Sequence, residues 1–356
     1  MRNVKGLFVT LLVIIALELT PFFGGALASK TWTVYPDPGA NFTTIQAAIT
    51  NAAPGDSIEV WNGTYYENVV VNKQLNIYSR DGADVTIVNT SGSGSAITII
   101  VDGCIINGFN VTRGGTSPTD AGIKVESSGN IIENNICYEN GYDGILLSSS
   151  SNNQILNNTC SKNNHHGIDL RTSSNNTIFN NTCSENSYYG FKSSSSSNNA
   201  ISNNTYYGNR DGIYLVGSSN NKLSNNSCYE NTEVGIHLVR SRSNILWNND
   251  IMDNTREGFH FVNSSNNILV NNEIRTNSKG IYLIDSSSNR IYRNEFVNNR
   301  IINADSENSD NIWNSSFKMN YTYNSIQHTN YTGNYWSDCS ATDSNGDGIG
   351  NAPYDI

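Results

Sequence analysis

Charged residues, prolines and long apolar runs are all scarce in this sequence. Only 15% of its 356 residues are charged, which excludes a charged coiled coil or a polyelectrolyte tail. Six prolines exclude a collagen-like chain and a proline-rich linker. The 21 basic residues are outnumbered by 31 acidic ones, so the chain offers no basic surface for nucleic acid, and we expect no nucleic-acid partner. The polar residues that recur are Asn and Ser, which favour turns.

The one long apolar stretch lies at the N-terminus. Arg2 and Lys5 precede an apolar run over residues 7–19, and Ala26-Leu27-Ala28 then provides a cleavage site of the A-x-A type. The run is too short and too interrupted for a good membrane anchor. The pattern predicts an export signal over residues 1–28 and a mature chain without a membrane span. We therefore expect an exported protein that is periplasmic, secreted or held at the cell surface.

The body of the chain is a repeat. A glycine followed by an apolar-x-apolar triplet recurs every 22 or 23 residues, at Gly122, Gly144, Gly167, Gly190, Gly212, Gly235, Gly258 and Gly280. Each copy contains three short segments whose apolar residues alternate with period two, separated by turns that carry Asn pairs such as Asn180-Asn181. This pattern predicts an all-β fold, a parallel β-helix of about ten coils with three short strands per coil.

Three further features fit this fold. Asn tolerates a left-handed backbone, and stacked Asn side chains can hydrogen-bond from coil to coil. Residues 45–49 predict a short helix that covers the first coil, since an open coil end is an exposed sheet edge. Cys137, Cys160, Cys183 and Cys228 occupy equivalent inward positions, which predicts a buried ladder of free thiols, although a Cys160–Cys183 disulfide is the alternative that export would permit. We divide the chain into an N-terminal cap with the first coils (29–93), the repeats (94–315) and a C-terminal cap (316–356).

Both ends of the chain resemble a known family. Ile45-Gln46-Ala47-Ala48-Ile49, Pro54-Gly55-Asp56-Ser57-Ile58-Glu59-Val60 and Asn62-Gly63-Thr64-Tyr65-Tyr66 look like the opening of secreted right-handed β-helix proteins of the pectin-lyase-like superfamily. Gly333-Asn334-Tyr335-Trp336-Ser337-Asp338 and the segment 343–354 resemble the terminal motif of NosD-type proteins. This resemblance implies a right-handed, single-stranded β-helix, a role near copper-site maturation of nitrous oxide reductase, and a module shared with carbohydrate-binding and sugar-hydrolysing proteins.

One outer face of the repeat carries most of the chemistry. Within each Gly-Ile-x-Leu segment the x position points outwards. Ligand-binding candidates on and beside this face are His166, Asp169, Arg171, Lys192, Tyr214, His237, His260 and Tyr282. The first hypothesis is that this face binds a polysaccharide or another surface polymer without turnover; ordinary surface chemistry is the plain alternative. A second hypothesis is catalysis, either by an acid pair drawn from Asp143, Asp169 and Asp211, or by Lys192, Arg171 or His166 acting in a uronate lyase or epimerase.

Two sets of residues are candidate metal ligands. His237 and His260 occupy equivalent positions one coil apart, and neutral imidazoles suit copper, so a copper-maturation accessory is a third hypothesis that rests on the family resemblance. Asp343, Asn345 and Asp347 have the spacing of a calcium loop, but Tyr354 replaces the glutamate that would complete an EF-hand. We expect this loop to be structural, either as a calcium site or as a metal-free turn that caps the last coil.

Overall fold

The chain forms a parallel β-helix with three sheets along its length, as the repeat predicts. The structure, a computed structural model, describes residues 29–36 and 39–356, so the predicted export signal lies outside the described residues. Two sheets have 12 strands and one has 11, which gives about twelve turns. The glycine repeat indicated about ten because the first turns have strands without the Gly-Ile-x-Leu pattern.

The three sheets are built from successive strands of each coil. Sheet 1 contains the eight strands at the repeated glycines and three strands at its two ends: Val69–Val71, Ile97–Ile99, Ala121–Val125, Asp143–Ser148, Ile168–Arg171, Tyr189–Ser194, Asp211–Val216, Ile236–Val239, Glu257–Val262, Lys279–Ile284 and Ile302–Glu307. Sheet 2 contains Thr31–Val34, Ser57–Val60, Asn76–Ser79, Ile105–Asn107, Ile131–Glu133, Gln154–Leu156, Thr177–Phe179, Ala200–Ser202, Lys222–Ser224, Ile245–Trp247, Ile268–Val270 and Arg290–Tyr292. Sheet 3 contains Gly63–Tyr65, Thr86–Asn89, Asn110–Thr112, Ile136–Tyr138, Thr159–Ser161, Thr182–Ser184, Thr205–Tyr207, Ser227–Tyr229, Asp250–Met252, Glu273–Arg275, Glu295–Val297 and Tyr335–Trp336.

The repeated glycine is required by a close approach between coils. A Cβ on Gly190 would lie 2.8 Å from the carbonyl oxygen of Gly212 and 2.8 Å from the ring of Tyr206. Both distances are too short for a side chain. The glycine therefore recurs because the chain enters sheet 1 against the backbone of the next coil.

The two members of an Asn pair have different roles. Asn180 is exposed and has φ of 55°, in the left-handed region that Asn tolerates. Asn181 is buried, and its Oδ1 accepts the backbone N–H of Asn158 (2.9 Å), while its Nδ2 donates to Oδ1 of Asn204 (3.0 Å). The same bonds repeat from coil to coil, so the predicted Asn ladder is present. It provides hydrogen-bond partners for the buried polar groups of the turns.

The interior of the helix is a continuous apolar column. The Ile and Leu of each Gly-Ile-x-Leu segment, for example Ile213 and Leu215, are fully buried. The four predicted ladder cysteines are also buried and free, as expected. Cys104 is buried and free as well, whereas Cys339 is exposed.

Both ends of the column are covered. The predicted helix forms over Ile45–Asn51, with Thr44 as its N-cap, and buries Ile45, Ala48 and Ile49. At the other end Trp336 stacks on Phe296 of the last coil, with ring centroids 4.5 Å apart, and Tyr354 stacks on Trp336 at 4.3 Å. An antiparallel hairpin of Met319–Tyr323 and Ile326–Asn330 lies in this C-terminal region. Among the described residues no helix has the length and apolar character needed to cross a membrane.

Candidate functional site

The outer face of sheet 1 carries a strip of polar and aromatic side chains, here called the sheet-1 strip. It consists of the residues before the repeated glycines (Asp143, His166, Tyr189, Asp211, Val234, Glu257, Lys279), the x positions (Leu146, Asp169, Lys192, Tyr214, His237, His260, Tyr282) and Arg171. The x positions point away from the apolar column, as predicted. Many of these side chains are nevertheless covered by their neighbours, and Asp169 has no exposed surface. The sequence reasoning had placed Asp169 on an open surface.

Arg171 holds together the N-terminal end of the strip. Its Nη2 donates to Asp143 (2.7 Å) and its Nε donates to Asp169 (2.6 Å). Its Nη1 donates to the carbonyl oxygen of Pro118 (2.5 Å), which lies between the strands Asn110–Thr112 and Ala121–Val125. Nζ of Lys192 lies 3.5 Å from Asp169. Asp143 and Asp169 are thus neighbours, as the predicted acid pair requires, but both carboxylates are buried and already bound by one guanidinium.

His165 and His166 lie against the same carboxylate. Oδ1 of Asp143 is 3.1 Å from Nδ1 of His165 and accepts the backbone N–H of His166 (3.1 Å). Ligand atoms of these three residues lie within 4.8 Å of one another, close enough to hold a metal ion. However, Arg171 binds the same Asp143 carboxylate, and its positive charge opposes a cation there. Burial raises the pKa of Asp143 to about 6.

A second pair of histidines lies further along the strip. His237 and His260 stack with ring centroids 4.7 Å apart and planes 9° apart, close to the spacing expected for adjacent coils. Nδ1 of His237 is 3.1 Å from Oδ2 of Asp211, and Nδ1 of His260 is 4.0 Å from Oε2 of Glu257. Burial and the neighbouring His237 lower the pKa of His260 to about 4, so His260 is neutral at pH 7. Asp211 therefore belongs to the histidine pair and lies apart from the Asp143–Asp169 cluster.

Aromatic rings run without a break along the strip. The successive ring-centroid distances are 4.9 Å for His166–Tyr189, 4.4 Å for Tyr189–Tyr214, 5.0 Å for Tyr214–His237, 4.7 Å for His237–His260 and 5.2 Å for His260–Tyr282. Four of these five contacts are stacked and Tyr214–His237 is edge to face, with planes 74° apart, so most ring faces are covered by a neighbouring ring. Such an arrangement suits hydrogen bonding to a ligand better than stacking on it.

Hydrogen-bonding capacity is left over on this face. In the described residues ten buried side-chain polar atoms lack a hydrogen-bond partner, and five of them belong to the strip: Nε2 of His166, Oδ1 of Asp169, Nε2 of His237, Oε2 of Glu257 and Nε2 of His260. Buried polar groups are normally paired, so this concentration on one face is unusual; ordered water, or a ligand that moves the covering side chains, would satisfy these atoms.

The predicted calcium loop binds its own backbone. Asp343 accepts the N–H groups of Asp347 (3.1 Å) and Gly348 (2.8 Å), and Asp347 accepts the N–H of Ile349 (2.9 Å). The nearby carboxylate of Asp338 accepts from Asn303 and from the hydroxyl of Tyr354. These bonds are those of a turn that satisfies its own backbone; Asp343, Asn345 and Asp347 as calcium ligands stay a prediction.

Sequence reasoning missed two participants in the strip. The carbonyl of Pro118 binds Arg171 across 53 residues of sequence, and no sequence signal indicates that contact. Glu257, directly before Gly258, is not among the ligand-binding residues predicted from the sequence. Its position is equivalent to those of Asp143 and Asp211, and that equivalence could have identified it.

Known structures with a similar fold act on or bind sugars. The A-module of mannuronan C-5 epimerase AlgE6 from Azotobacter vinelandii is 14% identical, with a TM-score of 0.55 over 75% of this chain and 94% of that chain. Pectate lyase Pel9A is 17% identical, with a TM-score of 0.51 over 71% and 80% of the two chains. XylC, solved in complex with xylose, is 12% identical, with a TM-score of 0.57 over 75% of each. At these identities the likeness establishes the fold.

Comparison of the sequence with protein families identifies the family, which the structural similarity does not. No curated protein matches the chain significantly. The family described as "Periplasmic copper-binding protein (NosD)" matches residues 41–206 and 183–341, which together span most of the chain and include the whole sheet-1 strip. The periplasmic description agrees with the export signal expected from the sequence. The family resemblance seen in the sequence is thereby confirmed, and this parallel β-helix protein belongs to the NosD family.

Proposed function

We propose that the protein binds a polysaccharide along the sheet-1 strip and does not change it chemically. The observation that carries this proposal is the concentration of five unpartnered, buried polar atoms on one long face. The strip extends over seven coils, from Asp143 to Tyr282, so it suits a chain-like ligand with many hydroxyl groups. Sugar polymers, named for two of the structural relatives, are ligands of this kind.

The state of the carboxylates favours binding over turnover. An acid pair in a glycosidase needs two carboxyl groups that face the scissile bond. Asp143 and Asp169 are instead buried, and Arg171 bridges them. Asp211 is engaged by His237 and by the backbone N–H of Val234. Hydrolysis, lyase chemistry or epimerisation at this face would require the ion pairs around Arg171 to open first.

The experiment that tests the proposal measures binding and chemistry in the same sample. The protein is incubated with a panel of polysaccharides, its retention by each polymer is measured, and the soluble sugars are analysed by mass spectrometry. We expect retention without cleaved or epimerised product. Product that disappears in Asp143→Asn but persists in Asp250→Asn, a matched change on sheet 3, would replace the binding function by an enzymatic one.

The histidine pair supports copper binding as a second function. Both Nε2 atoms are buried and without a partner, while Nδ1 of His237 lies against Asp211 in the arrangement by which proteins orient histidine ligands. Imidazole nitrogen is a donor that copper accepts, so these residues fit the metal in the family description. His237 and His260 would hold the ion, and Asp211 would keep the His237 ring in place.

Copper binding is tested by metal content. The protein is dialysed against copper, and the bound metal is counted by atomic absorption for the wild type, for the His237→Ala/His260→Ala double variant and for His328→Ala. The wild type and His328→Ala are expected to retain one ion per chain that the double variant lacks. Equal copper content in all three proteins would contradict a site at this pair.

A further inference from the structure

Most positive charges of the sheet-1 strip and its borders are already paired with carboxylates, whereas Arg240, whose charge acts on Tyr214, has no ion-pair partner among the described residues. Arg171 binds Asp143 and Asp169, and Lys192 lies 3.5 Å from Asp169. The remaining pairs, with their shortest N···O distances, are Lys124–Glu126 (2.7 Å), Arg210–Glu233 (3.2 Å), Arg256–Glu257 (3.7 Å) and Lys279–Asp305 (2.6 Å). A polymer of uronic acids would have to break such pairs to gain any cation other than Arg240 for its carboxylates, so most of the strip offers it little electrostatic attraction.

The unpartnered atoms of the strip include both donors and acceptors. Nδ1 of His166 accepts the backbone N–H of Tyr189 (3.3 Å), so the proton of this neutral imidazole is on Nε2, which is a donor. Burial lowers the pKa of His166, which keeps the ring neutral. Oδ1 of Asp169 and Oε2 of Glu257 are acceptors. Nε2 of His237 is a third acceptor because Nδ1 of that ring donates to Asp211.

This set of groups distinguishes ligands by chemistry. A sugar hydroxyl donates and accepts, so it can satisfy either kind of atom. An ionised carboxylate only accepts, and it would face the lone pairs of Asp169, Glu257 and His237. Placing a carboxylate beside two buried carboxylates adds repulsion between like charges.

We infer that the polymer bound by the sheet-1 strip is a neutral, hydroxyl-bearing polysaccharide and not a polyuronate. The inference rests on the proposed binding function and specifies its ligand class. It also separates this chain from a mannuronan epimerase and a pectate lyase of the same fold, whose named polymers are acidic. The specificity comes from Asp169 and Glu257, because each forms ion pairs with the neighbouring cations and keeps one oxygen without a hydrogen-bond donor.

The test uses pairs of polymers that share a backbone and differ in charge. Affinity electrophoresis of the full protein compares xylan with glucuronoxylan, mannan with polymannuronate, and fully methyl-esterified pectin with polygalacturonate, at low and at high salt. At least one neutral polymer is expected to bind about tenfold more tightly than its acidic partner, with little change on adding salt. Tighter, salt-sensitive binding of the acidic partner would overturn the inference and leave the proposed function standing. Binding of no polymer would overturn the proposed function, and the inference with it.

Two variants extend the test to the residues that set the preference. Asp169→Asn removes the negative charge that pairs with Arg171 and Lys192, and Glu257→Gln removes the one that pairs with Arg256. Each is expected to gain salt-sensitive binding of the acidic polymers, whereas Asp250→Asn, which breaks the pair with Arg275 on sheet 3, is not. Unchanged preference in both Asp169→Asn and Glu257→Gln, or an equal gain in Asp250→Asn, would show that these carboxylates do not set the charge selectivity. If Asp169→Asn does not fold, Glu257→Gln alone still tests whether these carboxylates set the charge selectivity.

Discussion

Replacing Asn181 by Ala should interrupt the Asn ladder at a single coil. The Asn181 side chain accepts the backbone N–H of Asn158 and donates to the carbonyl oxygen of Ile155 (2.8 Å) and to Asn204 (3.0 Å). Without it the buried N–H of Asn158 has no acceptor, which costs about 1–3 kcal/mol, and the two lost donor bonds add about 1 kcal/mol each. The free energy of unfolding should therefore fall by about 3–5 kcal/mol.

The matched control is the neighbouring residue. Asn180 is left-handed, a backbone that glycine adopts freely, and its side-chain hydrogen bond to Asn157 (2.8 Å) is exposed to solvent, so Asn180→Gly should change the free energy of unfolding by about 1 kcal/mol or less. Urea unfolding followed by circular dichroism measures both variants against the wild type. Equal shifts in the unfolding midpoint for Asn180→Gly and Asn181→Ala would refute the division of roles within the Asn pairs.

Three further predictions use other parts of the helix. The lowered pKa of His260 makes the free energy of unfolding highest above pH 6.5 and lowers it as the pH falls to about 4, because the unfolded chain takes up the proton first. In urea unfolding, the free energy of unfolding of His260→Gln should therefore fall by about 3 kcal/mol less than that of the wild type between pH 6.5 and 4. Parallel pH profiles for the two proteins would contradict this. Gly190→Ala should lower the free energy of unfolding by about 1–3 kcal/mol because its Cβ meets the carbonyl oxygen of Gly212, and an unchanged unfolding midpoint would exclude this close approach. A thiol reagent should label only Cys339 rapidly in the folded protein and the other five cysteines only on unfolding; rapid labelling of a second thiol would contradict the buried ladder.

The fold could be predicted because one local pattern repeats. Each coil must meet the same constraints as the coil beside it, so the glycine at Gly190 and the Asn180-Asn181 pair recur visibly in the sequence. The first coils and the C-terminal cap lack that repetition. The sequence therefore indicated about ten coils where the structure has about twelve turns.

The site was predictable only in part, for a physical reason. Alternation along a strand places Asp169 and His237 on the outer face, and the equivalence of adjacent coils brings His237 next to His260. What covers an outward side chain depends on contacts between distant segments. The bond from Arg171 to the carbonyl oxygen of Pro118 is such a contact, and it helps to turn an expected open surface into a buried ion-pair cluster around Asp143.

The central claim is that a polysaccharide binds along the sheet-1 strip, and the most direct test is to determine which face of the β-helix binds it. Tyr214→Ala removes an aromatic ring and a hydroxyl from the middle of the strip, and Trp247→Ala removes a more exposed aromatic ring from sheet 2. Affinity electrophoresis in the retained neutral polymer should show binding weakened by about tenfold for Tyr214→Ala and unchanged for Trp247→Ala. Loss of binding in Trp247→Ala, with full binding in Tyr214→Ala, would contradict the assignment of the ligand to the sheet-1 strip.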